Sequence, residues 1–165
     1  MKRLALLSAA LLLAAGAVHA QAPVTESRPS LTLEGAKRVA AAAVAEAVRL
    51  GAPGGALAIV DEGGALLYLE RLDNTFPAAA IVATEKARTA AQFRRATSVF
   101  EEAIKNGRIS LVAVSVMTPL QGGVPVMQNG RVVGAIGVSG AASAQQDDDI
   151  ARAAVAAWDK LIAGR

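Results

Sequence analysis

The sequence predicts an α+β fold, with one mostly antiparallel sheet of about five strands flanked by helices. Two hairpin signals, Glu62-Gly63-Gly64 and Asn129-Gly130, each sit between β-type runs. Amphipathic helical stretches precede, separate and follow them. Strands do not alternate singly with helices and no GxGxxG opens a helix, which disfavours a doubly wound parallel sheet. The 165 residues suit one domain with a real core. At 53% hydrophobic and 19% charged the chain reads as globular, its apolar content mostly Ala, Val and Leu.

Met1-Lys2-Arg3, the apolar run from Leu4 to Val18 and then Val18-His19-Ala20 read as a secretion signal over 1–20, cut after Ala20. This predicts a periplasmic or secreted protein with no membrane insertion after cleavage, because no later stretch reaches about 20 apolar residues. Residues 21–30, with Pro23 and Pro29 among polar neighbours, read as a flexible leader, and 31–165 as a single domain.

Within that domain, Leu33, Ala36, Ala40, Ala43, Val44, Ala47 and Val48 keep helical spacing, with Glu34 and Arg38 four apart on the outer face. Gly51 and Pro53 stop this helix. Ala56 to Asp61 and Ala65 to Leu72 form the first hairpin. Helices follow over Ala78 to Phe93 and Thr97 to Asn106, the second ended by Gly107. Leu111 to Met117 is the fifth strand, before Thr118-Pro119 and Gly122-Gly123 turn the chain away. Val124 to Gln128 and Arg131 to Val138 flank Asn129-Gly130 as the second hairpin. The last helix starts at Gln145, with Ile150, Ala153, Ala154, Ala157, Trp158 and Leu161 on one face. Asp147, Asp148 and Asp149 at its start read as helix capping rather than as a metal site.

Composition also limits the chemistry. There is no Cys, and the one His, His19, leaves with the signal. Disulfides, Cys- or His-ligated metals, a Ser-His-Asp triad and haem held by a proximal His or Cys are thereby excluded from the mature chain. Of 17 basic residues, Lys2 and Arg3 leave with the signal, so 15 remain against 14 acidic ones and net charge falls from +3 to +1. That near-neutral surface argues against a nucleic-acid partner.

Glycines crowd Gly122 to Gly140 (GGVPVMQNGRVVGAIGVSG), where strands need a bulge, a tight turn or close backbone approach. Neither a phosphate-binding GxxxxGK[ST] nor a GxSxG elbow is present in it. Together, Asp61-Glu62-Gly63-Gly64 between two strands, Lys86-Ala87-Arg88-Thr89-Ala90 with Phe93, then GGVP, NG, VVGAIGVSG, Asp147 to Asp149 and an Ala-rich helix resemble the GlcG/HbpS family, related to the C-terminal domain of PduO. The resemblance covers Leu31 to Ile162. It implies a profilin-like α/β/α sandwich, assembly into homo-oligomers and, as in some secreted members, haem binding linked to iron handling or redox sensing. Other members sit in glycolate and propanediol-utilisation contexts.

Under that resemblance a small-molecule cleft is expected between the Lys86 helix and the glycine-rich hairpin, lined by Gly123, Pro125, Gly137 and Ser139. Lys86, Thr89 and Phe93 share a stripe with Val82, offering a cation, a hydroxyl and a ring to haem or a small carboxylate; alternatively Lys86 snorkels from a core face and Thr89 merely packs. Tyr68 can ligate ferric iron as a phenolate, or can pack in a core or interface. Arg71, Asp73 and the Phe76-Pro77 loop stand where they would line the mouth of the cleft, unless Arg71 and Asp73 form a surface ion pair. Met117 and Met127 are either soft axial ligands or core filler. The expected cofactor is haem with non-His ligation. An enzyme acting on a small hydroxy- or oxo-acid, using Lys86 and Arg71 for the carboxylate and Tyr68 or Asp73 for a proton, is the alternative, and a ligand-free structural oligomer a second one.

Overall fold

The computed structural model describes residues 23–164, so the expected signal at 1–20 lies outside the described residues. Helix α1, Leu33–Arg49, opens on Thr32, whose backbone is extended and whose side-chain oxygen accepts the Gly35 N–H at 3.1 Å. Arg38 reaches Glu34 at 2.9 Å, as their spacing requires. Its buried stripe is Gly35, Ala36, Val39, Ala40, Ala43 and Ala47; Leu33 and Val48, expected on it, are exposed in the terminal turns.

Strands β1 (Ala56–Asp61) and β2 (Leu66–Arg71) pair antiparallel. Their turn is fixed by the Asp61 carboxylate, which accepts the Gly63 and Ala65 N–H groups at 2.9 and 2.8 Å. Helices α2 (Ala79–Phe93) and α3 (Ser98–Lys105) follow. Strands β3 (Gly123–Gln128) and β4 (Arg131–Ser139) then form the second hairpin, and helix α4 (Ala144–Ala163) closes the chain. Asn129 and Gly130 both take positive φ, the backbone of the tight turn their sequence predicts.

The sheet has four strands in the order β2-β1-β4-β3, all antiparallel, not five. Leu111 to Met117 is not a strand: Ile109–Ala113 is a short 3₁₀ turn packed on α3, and Ile109, Val112 and Val116 are exposed. Both ends of the segment are held on the helical layer, one by α3 and the other by the Thr118 N–H bonded to Thr89, so it crosses that layer instead of joining a sheet edge.

Alternation along the strands sorts side chains into two cores. Ala56, Ala58, Val60 and Ala135 meet Ala79, Ala83, Ala87, Ala90 and Ala91 of α2 on one face. Leu57, Ile59, Val126, Ile136 and Val138 meet α1 and α4 on the other. The result is the α/β/α sandwich that the resemblance implied. No helix among the described residues is long and apolar enough to cross a membrane.

Ser143, not the aspartates, caps α4: its hydroxyl accepts the Gln146 N–H at 3.1 Å, while Gln146 reaches back to the Ala142 N–H at 2.8 Å. Asp147 and Asp148 are buried and turn elsewhere.

Candidate functional site

Helix α2 lies nearly in backbone contact with the sheet, and glycines make that approach. A Cβ on Gly123 would stand 2.5 Å from the Lys86 carbonyl oxygen, and one on Gly137 would collide with the Ala83 carbonyl and come within 2.6 Å of the Ala87 nitrogen. The close-approaching backbone that the glycine-rich run demands is therefore α2 itself. Pro125 lies in the edge strand β3 opposite Ala135, and Ser139 is buried opposite Ala56.

Lys86 points inward and is 3% exposed. Its ammonium donates to the Val138 carbonyl at 2.8 Å and to Asp147 Oδ2 at 2.9 Å, tying α2 to the first turn of α4 across the end of the sheet. Gly122, at φ +112°, lets it pass: a Cβ there would meet Lys86 Nζ at 3.1 Å and the Asp147 Cβ at 3.0 Å. Asp147 also accepts the Ala141 N–H, and Asp148 accepts the Gly122 N–H and the Arg152 guanidinium.

The Thr118–Gly123 loop is pinned by this same cluster. Thr89 Oγ1 accepts the Thr118 N–H, Glu101 the Gln121 N–H, and Thr97 Oγ1 the Gly123 N–H, all at 2.7 to 2.8 Å. Burial pushes the Glu101 carboxyl up, but the Gln121 N–H, the Lys105 ammonium and the more distant Lys86 together bring it below the usual carboxylate value. Lys86 and Thr89 thus hold the interior together and present no free cation or hydroxyl to a cleft. Phe93, half-buried, packs edge-on against Phe100 at 5.4 Å, near where α2 ends.

Tyr68 is not on this side at all. It pairs with Ile59, so it faces the α1 and α4 layer, and its hydroxyl donates to Glu70 Oε2 at 3.0 Å. That hydrogen bond, the Glu70 charge and burial all raise its pKa, which opposes the phenolate an iron ligand would need. The single cleft expected to hold both Lys86 and Tyr68 is divided by the sheet.

What α2 leaves open is its outer border with the edge strand β2. Leu69, Ala80, Ile81, Thr84 and Glu85 line a groove of about 250 Å³, with Leu66 exposed on the same strand face. Arg71, paired with Ala56 and exposed, stands at one end of that strand face. Arg88 stands towards the other, its Nε 3.2 Å from the Gly64 carbonyl and its Nη1 2.8 Å from Glu85. Phe76 is half-exposed at the approach to α2, its ring beside Gly140; Asp73 is exposed in the same loop. Met117 is half-buried beyond the 3₁₀ turn, and half-buried Met127 accepts the Trp158 indole N–H on its carbonyl.

The groove combines exposed aliphatic surface, a guanidinium at each end and two oxygen-bearing side chains, Thr84 and Glu85. Of these residues the sequence singled out Arg71 as a candidate and offered Arg88 only as part of the Lys86-Ala87-Arg88-Thr89-Ala90 run. Leu69, Ile81 and Thr84 carry no motif, and only the exposure of two aliphatic side chains facing each other marks them. Asp147 was legible in principle, because Ser143 and Gln146 already cap the helix start, through the Gln146 and Ala142 N–H groups, and leave the aspartates free for other partners.

Residues 31–156 match the family described as "Haem degrading protein HbpS-like". The chain belongs to the GlcG/HbpS family. It is 49% identical over 83 residues to Protein GlcG of Escherichia coli K12; the match takes in 50% of this chain and 62% of GlcG, so it spans less than two thirds of that relative. The crystal structure of HbpS superposes with a TM-score of 0.74 at 34% identity, covering 84% of this chain and 97% of HbpS. A PduOC:Heme complex superposes with a TM-score of 0.69 at 26% identity, covering 78% and 94%. Of these relatives, PduOC is seen as a complex with haem.

Proposed function

We propose that this is a periplasmic or secreted haem-binding protein, working as a homo-oligomer in haem or iron handling, with haem seated on the β2–α2 groove. The observation that carries the reading is the groove itself: Leu66, Leu69 and Ile81 are 46%, 42% and 68% exposed, side by side, and guanidinium groups flank them. The macrocycle would cover the aliphatic side chains, and Arg71, exposed at one end, would meet the propionates, which leave the ring from a single edge; Arg88, held by Glu85 and the Gly64 carbonyl, would border the opposite edge. Bound haem supplies iron redox chemistry; the chain's contribution is to hold it on an apolar shelf and offer the Glu85 carboxylate or Thr84 hydroxyl as an oxygen donor. Support comes from the family match and from a haem complex among the structures of the same fold.

Haemin titration followed in the Soret region tests this. The expected result is saturation at a defined stoichiometry, lost in Ile81→Glu and Leu69→Asp and weakened in Arg71→Ala, with Tyr68→Phe unchanged. Non-saturating, broad spectra, or titrations indifferent to Ile81 and Leu69 but sensitive to Tyr68, would overturn the groove assignment.

A further inference from the structure

At the end of the sheet where both hairpins turn lies a second cavity, of about 410 Å³, that the haem reading does not use. The leader covers it with Glu26 and Arg28; the β1–β2 turn contributes Glu62, the end of α2 Arg94, and the second hairpin Met127 and Arg131. The leader is tied down there: Glu26 meets Arg131 at 2.9 Å and Arg28 at 3.6 Å.

Two charged side chains at this cavity make no contact with each other, one with a buried oxygen and the other exposed. Glu62 Oε2 is buried and accepts no hydrogen bond, the one such side-chain atom among the described residues. Arg94 makes no side-chain hydrogen bond or ion pair among the described residues, and it does not reach Glu62. Arg94 also sits in the left-handed region at φ 55°, where a helix end ordinarily places glycine. An arginine at a backbone position that disfavours side chains, lining the same cavity as a carboxylate it does not touch, points to something that fits between them.

We propose that this cavity binds a small zwitterion of the α-amino-acid class, its carboxylate on the Arg94 guanidinium and its ammonium on Glu62 Oε2. A lone anion would leave the buried carboxylate oxygen unpaired, and a lone cation would make no use of the exposed Arg94 guanidinium; one ligand with both charges engages both. The volume admits a free amino acid or a dipeptide.

Calorimetric titration of the chain, without haem, with L-alanine, L-leucine and L-glutamate, each beside its N-acetyl and methyl-ester derivative, decides the matter. Saturable binding by at least one free amino acid is expected, falling about tenfold or more when either charge is blocked, as loss of a charge-assisted hydrogen bond implies. Glu62→Gln and Arg94→Gly should each weaken it comparably. The Arg94→Gly protein should melt no lower than the parent, because glycine relieves the positive φ, so loss of binding cannot be put down to unfolding. Arg71→Ala should leave amino-acid binding unchanged. No saturable binding by any free amino acid, or equal binding of the N-acetyl derivative, would overturn the proposal; the second outcome would make the cavity a plain anion site.

Discussion

The inner and outer faces of α2 lie one helix diameter apart and are built to opposite rules. Inward, every polar group is matched and every Cβ that would hold the helix off the sheet is missing: Lys86 on Val138 and Asp147, Thr89 on Thr118, glycine at 123 and 137. Outward, Ile81 stands in solvent beside Leu69, and Thr84 bonds only the Ala80 carbonyl of its own helix. Saturated polar groups at close packing specify one arrangement, whereas exposed aliphatic surface leaves room for a partner. The residue types that look most chemical in the sequence are on the structural face, and the functional face is chemically plain.

The largest effect that would break this contrast is at Lys86. Lys86→Met should cost about 3–5 kcal/mol, because it strands a buried Asp147 carboxylate. Pairing it with Asp147→Leu should recover part of that loss in a chemical-denaturation cycle, since the buried charge is then gone too. If Lys86→Met instead kept full stability and lost haem binding, Lys86 would belong to the ligand site after all. Gly137→Ala comes next: the added methyl collides with the Ala83 carbonyl, and lifting α2 off the sheet should cost about 1–3 kcal/mol or more.

On the outer face the signs reverse. Ile81→Glu should shift stability by no more than about 0.5 kcal/mol, as exposed positions do, while abolishing saturable haemin binding. A melt and a Soret titration on the same sample read both. Loss of stability and binding together would show that the groove is packed against something and is not a free surface.

How far the sequence revealed this follows the same division. Hairpins were legible because Asn129-Gly130 and Gly63-Gly64 are chosen by local backbone geometry, and α1, α2 and α4 because helical periodicity is local as well. The fifth strand was misread because Ile109, Val112 and Val116 are hydrophobic yet exposed, and residue type alone cannot separate a strand from an irregular segment held at Thr118. Glycine spacing announced a close approach, but nothing local says whether a ligand or a helix makes it. Lys86 and Tyr68 were assigned to one cleft because their faces depend on strand register: Tyr68 lies opposite Ile59 across a bulge at Ile59/Val60. A bulge of one residue reverses every side chain beyond it.

The smallest effect concerns pH and the pinned loop on the inner side. Glu101 has its carboxyl held below the usual value in the folded chain, by the Gln121 N–H and Lys105 acting against burial. Its contribution to stability is therefore fully present above the unfolded carboxylate pKa, and is lost as pH falls through the lower folded one. Glu101→Gln should flatten the acid limb of a stability–pH curve below about pH 4.5 and leave neutral stability within about 1 kcal/mol. The same titration on the groove variant Ile81→Glu should keep the Glu101 limb intact. An acid limb unchanged by Glu101→Gln would mean that the loop is anchored by Thr89, Thr97 and Asp148 alone, and that the inner face owes its rigidity to uncharged contacts and the buried aspartates rather than to this carboxylate.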